Sequence, residues 1–263
     1  MLFSIITVTY NSERFLAEAM RSVLSQEGVD LEYLIVDGGS KDGTVALIKE
    51  FACHDSRIRW ISEPDAGIGD AFNKGIMMAR GEMIGILNSD DAYAPGALAA
   101  VAGAATEDQP CDVLHGDMIR FSGDTMLYRL NAAPVDGRVW HDMPLNHPAT
   151  FVGRSAYERW GLFDPKLKVA MDYELVLRFY RAGCRFRHLD RVLAHMRYGG
   201  VSDDRFMAAR REVYDVTVAA GYPRWRAGCW LLIKAGMNIT KTLLRKLGLF
   251  GLMRLHPKFA KHS

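Results

Sequence analysis

Along the first hundred residues, short apolar runs alternate with segments whose apolar positions recur every three or four residues. Ser4–Thr9 (SIITVT), Glu32–Asp37 (EYLIVD), Ile58–Ser62 and Met83–Leu87 (MIGIL) have strand length, and their near-continuous hydrophobicity predicts strands covered on both faces. Between them, Phe15, Leu16, Ala19, Met20, Val23 and Leu24 share one helical stripe, with Asn11 or Ser12 as its cap. A second helix opens at Asp42 or Thr44 and reaches about Phe51; a third carries Ile68, Ala71, Phe72, Gly75, Ile76 and Ala79; a fourth spans Pro95–Ala105. This alternation predicts an α/β fold: a mostly parallel, Rossmann-like central sheet with right-handed crossovers and flanking helices. Ligands of such sheets sit beyond the carboxyl ends of the strands, so the polar residues after each strand are the candidates for chemistry.

The pattern changes after about residue 111. Val113–His115, Met118–Phe121 and Met126–Leu130 read as strands, with a hairpin at Ser122-Gly123-Asp124. Ser155–Trp160 and Asp172–Ala182 read as helices and Val192–Arg197 as a late strand. Helices then run over Asp203–Ala220 and Trp225–Leu252, bounded by Pro223 and Pro257. No internal repeat or low-complexity linker interrupts the chain. Two parts follow, an α/β body over 1–204 and a helical tail over 205–263.

The 263 residues, 49% hydrophobic, suffice for one large α/β domain with an appendage. The formal net charge of +2 hides an asymmetry. From Arg205 onward, Lys and Arg outnumber Glu212 and Asp215 so far that the tail carries about +10 and the body about −8. A basic tail on an acidic body suits an anionic surface. The tail's Trp230, Leu231, Leu232, Ile233, Met237, Ile239, Leu243, Leu244, Leu247 and Phe250 are interleaved with Lys and Arg, which is too charged to span a bilayer. Two readings stay open: an amphipathic helix lying on a membrane surface, or helices packed on the body or on a second copy. The acidic body and the lack of a recognition motif argue against nucleic acid. The N-terminal run lacks a basic flank and a cleavage site, so it reads as a buried strand and not a signal peptide. Cys53, Cys111, Cys184 and Cys229 lie far apart without C-x-x-C spacing, which fits a reducing, cytoplasmic location. With the membrane-surface reading of the tail, that location becomes peripheral, on the inner face of the cytoplasmic membrane.

Four polar constellations follow the strands. Thr9-Tyr10-Asn11 ends the first and Asp37-Gly38-Gly39-Ser40 the second; a carboxylate followed by two glycines either makes a turn and cap or lets a flat ring or ribose approach closely. Glu63 to Gly75 is polar at a helix entry, where Asp70 and Lys74 could form an ordinary i,i+4 pair. The fourth strand runs into Asn88-Ser89-Asp90-Asp91. Adjacent carboxylates at a buried strand end repel one another, and a divalent cation such as Mg²⁺ or Mn²⁺ bridging a diphosphate would relieve them. Finally Met171-Asp172-Tyr173-Glu174-Leu175 opens a helix; Asp172 either caps it or, if it faces the sheet's carboxyl edge, takes a proton from an acceptor hydroxyl.

Taken together, TVTYN at 7–11, DGGSKDGT at 37–44, SEPDAGIGDAFNKG at 62–75, LNSDD at 87–91, NHPATF at 146–151 and MDYEL at 171–175 resemble the inverting family 2 glycosyltransferases of bacterial cell-surface polysaccharide synthesis, which have the GT-A fold. The resemblance covers roughly residues 3–202, and six strings in order make it specific. It implies a catalytic domain over 1–204 that takes a UDP or GDP sugar and transfers the sugar, with inversion, to a sugar or lipid-linked hydroxyl. It implies that Thr9, Tyr10, Asp37 and Gly39 hold the base, that Asp65 and Lys74 lie near base, ribose or diphosphate, and that Asn88 and Ser89 belong to the D-x-D segment. Asp90 would touch the metal and Asp172 would be the general base. His147, Asp91 and Glu174 would line the acceptor site, and Arg197 or Ser202 would meet the diphosphate; His188 and His195 read as structural. Asn88 departs from the family's usual Asp and brings no charge. Two rivals stand beside this reading. A sugar nucleotidyltransferase would want a Gly-rich basic loop after the first strand, where this chain has Tyr10-Asn11-Ser12-Glu13. A GT-A scaffold without activity would recruit partners at a membrane.

Overall fold

The computed structural model describes residues 1–106, 111–123, 125–198 and 206–246. The strands are β1 (Leu2–Thr9), β2 (Asp30–Asp37), β3 (Ile58–Ser62), β4 (Met83–Ile86), β5 (Ala92–Tyr93), β6 (Val113–Ser122), β7 (Thr125–Leu130), β8 (Thr150–Gly153) and β9 (Phe186–Arg197). The helices are α1 (Glu13–Leu24), α2 (Thr44–His54), α3 (Ile68–Met78), α4 (Ala97–Ala105), α5 (Arg154–Trp160), α6 (Met171–Arg181), α7 (Phe206–Ala219) and α8 (Arg224–Lys246). One sheet has the order β3-β2-β1-β4-β8-β6-β9-β5, with β7 paired to β6.

The first four strands are parallel, as the alternation with helices requires. Beyond β4 the sheet is mixed: β8 runs antiparallel to both β4 and β6, while β6 and β9 are parallel. Side chains alternate across the sheet. Ile6, Val8, Leu34 and Val36 face one core with Phe72, Ile76, Tyr173 and Leu177 from α3 and α6. Phe3, Ile5, Tyr33 and Ile35 face the other with Leu16, Met20, Ile48 and Leu98 from α1, α2 and α4. Gly75 lets α3 press onto β1, since a Cβ there would stand 2.5 Å from Ile6 Cγ2.

The hydrophobic pattern missed β5 and β8 entirely and the first half of β9. β8 has only four residues, and its NHPATF surroundings look like a loop. β9 begins six residues before its expected start because Phe186-Arg187-His188-Leu189 pairs with Val113–Gly116 of β6; its charged side chains lie at a partly exposed surface, so composition hides the ladder. Along that ladder His115 is 1% exposed and its ring packs 5.2 Å from that of His188. His188 Nε2 donates to Asp117 Oδ1 at 3.1 Å. Burial, with help from His188, pushes the His115 imidazole down to about 4. The folded state then binds fewer protons than the unfolded one between the two pKa values, so stability falls as pH drops through the ordinary imidazole range. Urea unfolding at pH 7 and pH 5 should show a loss of about 2 kcal/mol from this residue, absent in His115→Gln.

The tail's described part packs on the body. Tyr222 stacks on Trp140 at 5.2 Å and Trp230 on His141 at 4.0 Å, and Lys234 reaches Asp142 at 2.7 Å. Elsewhere on α8, Trp225 and Leu232 are 67% and 73% exposed, and Ile233 and Met237 about half exposed. Residues 247–263, including the expected helix end near Leu252 and Pro257, lie outside the described residues, as do Ser202 and the rest of 199–205. No helix among the described residues is long and apolar enough to cross a membrane. All four cysteines are unbonded.

Candidate active site

Between β1 and β4 the strand order reverses, and a crevice opens at the carboxyl ends there. The register sets Thr9, Asp37 and Ser62 side by side at the ends of β1, β2 and β3. Asp37 is fully buried. It accepts hydrogen bonds from Thr9 Oγ1 at 3.0 Å, Ser62 Oγ at 2.7 Å, the amides of Gly39 and Ser40 at 3.1 and 3.0 Å, and the Ser40 hydroxyl. Burial alone would push its carboxyl up, but these donors outweigh it and hold the group below the usual carboxylate range. With every lone-pair direction engaged and no exposed surface, Asp37 and its partner Thr9 brace the loop from behind. Gly39, at φ +82, makes the turn.

What faces outward is the layer in front. Tyr10 is 64% exposed. Asp65 projects so far over Gly38 that a Cβ there would lie 2.5 Å from its Oδ2, and its Oδ1 accepts the Gly67 amide at 2.8 Å. Lys74 is drawn back to the same loop by Glu63 at 2.7 Å and the Pro64 carbonyl at 3.0 Å, with Asp70 farther off at 3.7 Å. Glu63 above all holds its ammonium above the usual lysine range. Lys74 is thus a tie within this loop, with Glu63 a closer partner than the i,i+4 residue. Ser89 donates to Ser12 Oγ at 2.9 Å, fastening the turn after β4 to the start of α1.

A cleft of about 280 Å³ adjoins this layer, walled by Gly67, Phe72, Asn88, His147, Lys168 and Asp172 among others. It joins residues far apart in sequence. Asp172 lies in the first turn of α6, two residues past the N-cap Ala170, so it is not the cap of this helix. Its Oδ2 stands 3.3 Å from His147 Nδ1, while Oδ1 is sealed from solvent without a partner among the described residues. His147 stacks on Phe72 at 5.4 Å, and its Nε2 is likewise unpartnered. Burial pulls its imidazole down, but the negative charges of Asp172 and Asp91 prevail and hold it above its ordinary value.

Asn88 points Nδ2 at Asp91 Oδ2 at 3.2 Å and leaves its own Oδ1 buried and unpartnered. Asp91 is 2% exposed and accepts the Arg197 amide at 3.1 Å. Burial, then the neighbouring Asp90, push its carboxyl up to about 7. Asp91, expected on the acceptor side, is thus buried in this turn and bonded to the Arg197 amide. Asp90 is partly exposed and makes no hydrogen bond or ion pair among the described residues. No group of three or more His, Cys, Asp or Glu side chains among them could hold a metal by itself. A cation fits here only through Asp90 with oxygens from a ligand, a donor set that suits Mg²⁺ or Mn²⁺.

Two other residues singled out in the sequence are engaged outside the cleft. Glu174 holds Arg178 with both oxygens at 2.9 and 3.0 Å, and Arg178 ties down the Trp160 and Leu162 carbonyls. Two residues from Asp172 is about 200° around the helix, so Glu174 faces away from the cleft. Arg197 pairs with Glu18 at 2.6 Å and lies over Phe15 and Phe121 at 4.1 and 4.5 Å, so its guanidinium is committed elsewhere. The motifs also passed over Phe72, which shelves His147, and Lys168, which lines the cleft. Phe72 was visible only as a core position of its helix.

The likeness to solved structures agrees with this architecture. The Pyrobaculum calidifontis mannosyltransferase PcManGT, solved with GDP-Man and Mn²⁺, superposes with a TM-score of 0.68 at 16% identity, over 97% of this chain and 81% of that one. Staphylococcus aureus TarS 1-349 in complex with UDP gives 0.65 at 21% identity, over 88% and 70%. The fold is that of the GT-A glycosyltransferases. Glycosyl transferase family 2 matches residues 4–163, and the chain belongs to that family and is a hexosyltransferase. The PGL/p-HBAD biosynthesis glycosyltransferase of Mycobacterium bovis (strain BCG / Pasteur 1173P2) is 30% identical over 207 residues, 77% of this chain and 79% of that protein. The chondroitin synthase of Escherichia coli is 29% identical over 198 residues, 73% of this chain and 28% of that longer protein.

Proposed function

We propose that this glycosyltransferase takes a sugar from a UDP or GDP donor in a single inverting displacement onto an acceptor hydroxyl, with Asp172 as general base. The observation that carries the reading is that Asp172, from the first turn of α6, and Asn88, from the turn after β4, line one cleft, with the Asp172 side chain 30% exposed. The base and ribose stack and bond in front of the Asp37 brace, against Tyr10, Gly39 and Asp65. The Asp172 carboxylate, 30% exposed at the cleft, accepts the acceptor proton as the hydroxyl oxygen attacks the anomeric carbon, and His147, 3.3 Å from its Oδ2, stabilises the ionised form. Lys168 supplies positive charge at the cleft wall. A divalent cation, Mg²⁺ or Mn²⁺, held by Asp90 and diphosphate oxygens would offset the charge growing on the leaving group.

The relatives named above work on a glycolipid and on a polysaccharide, which supports a lipid-linked or glycan acceptor for this chain. The exposed Trp225, Leu232, Ile233 and Met237, flanked by Arg224 and Arg226 and followed by a Lys- and Arg-rich stretch, support a peripheral site on an anionic membrane face, where such an acceptor resides.

The decisive measurement is a thermal-shift screen of nucleoside diphosphates with and without Mn²⁺. One of UDP or GDP should raise Tm in a metal-dependent way, by the linkage RT ln(1 + [L]/Kd), about 2.7 kcal/mol at a hundred times Kd. A chain that no nucleotide stabilises would be a scaffold, and the catalytic reading would fall.

A further inference from the structure

Glu212 lies in α7, 40 residues beyond Asp172 in sequence and outside the stretch that matches the family. Its carboxylate gathers three consecutive backbone amides. Oε2 accepts from Ala170 N at 2.8 Å and Val169 N at 2.9 Å, and the Lys168 amide is shared between Oε1 at 3.1 Å and Oε2 at 3.3 Å. Burial would push this carboxyl up, but the three amides prevail and hold it below the usual range. Those amides belong to the segment that forms the cleft wall beside Asp172 and leads into the first turn of α6. No other side chain is shown bonding to them. One turn farther along, the buried Thr217 meets the Tyr173 hydroxyl at 2.9 Å, so α7 grips α6 on both sides of Asp172.

We propose that Glu212 is a positioning residue for the transfer reaction: it fixes the Lys168–Ala170 segment and thereby the place and direction of Asp172. The proposal rests on Asp172 being the base. A carboxylate suits the task because it can accept all three N–H groups and because negative charge is favoured at the start of a helix. The C-terminal extension is then part of the active-site scaffold as well as a surface appendage.

Glu212→Ala, Glu212→Gln and Tyr222→Ala are compared with the full-length protein. Turnover is followed as nucleoside diphosphate released from the UDP or GDP sugar, with alkyl glycosides as acceptors. Tyr222→Ala loosens the extension through its stack on Trp140 and leaves the Glu212 contacts alone. Glu212→Ala should lower kcat by about 10- to 100-fold, with donor KM and the metal-dependent nucleotide shift within about twofold of wild type. Glu212→Gln, whose single carbonyl oxygen can keep two of the three amides, should recover most of that loss, and Tyr222→Ala should keep kcat at an equal drop in Tm. An unchanged kcat in Glu212→Ala overturns the proposal, as does an equal kcat loss in Tyr222→Ala. If Glu212→Ala does not fold, Glu212→Asp keeps the charge but shortens the reach, and wild-type kcat there overturns it equally. Failure of the underlying reading looks different: Asp172→Asn would itself stay active.

Discussion

Asp172→Asn is expected to lower sugar transfer by about 10²- to 10⁴-fold while leaving nucleotide binding intact. The substitution is nearly isosteric, and the amide can still meet His147 Nδ1, now 3.3 Å from the carboxylate. What disappears is the basicity of the carboxylate at the cleft. Because Asp172 stands across the cleft from the turn after β4, and apart from the Thr9–Asp37–Ser62 brace, donor KM and the thermal shift with nucleotide and Mn²⁺ should move little. A loss confined to kcat identifies the base. Transfer at the wild-type rate would transfer that role to another group, and His147 is the nearest candidate because its Nε2 is also unpartnered.

Asp90→Ala should abolish the metal-dependent part of nucleotide binding and lower transfer by about 10²- to 10³-fold. The turn after β4 contains two carboxylates, but they are not equivalent. Asp91 is buried, fixed by the Arg197 amide and Asn88, and pushed up to about 7 by burial and by Asp90. Asn88 carries no charge. Asp90 is left as the one carboxylate of this turn that can share a cation with a diphosphate. The checks are a Mn²⁺ titration of Tm at saturating UDP or GDP and of turnover. Persistence of a full Mn²⁺ response in Asp90→Ala would place the cation elsewhere.

The contrast between Asp90 and Asp91 shows how far one-dimensional reading goes. Both follow a buried strand, and nothing in LNSDD says which side chain turns inward. Asp37 was legible as a strand-end carboxylate beside two glycines, yet its inward direction follows from the pairing of β2 with β1 and β3, which brings Thr9 and Ser62 to it. Glu212 had no signal at all. Its partners are backbone amides some forty residues away, and an amide leaves no trace in residue identity.

From the order of residues alone came the parallel half of the sheet, the helices that cover it, and the strand ends where chemistry gathers, because periodicity and strand-end polarity are local properties of a chain. The likeness to a glycosyltransferase family was carried by strings at those same places. Folding in three dimensions decided which polar groups face the cleft and which brace it from behind, how β8 and the charged start of β9 complete the sheet, and that a basic tail packs against the loop leading to Asp172. Those outcomes depend on pairing between distant segments, where burial and hydrogen-bond satisfaction choose among side chains that look alike in sequence.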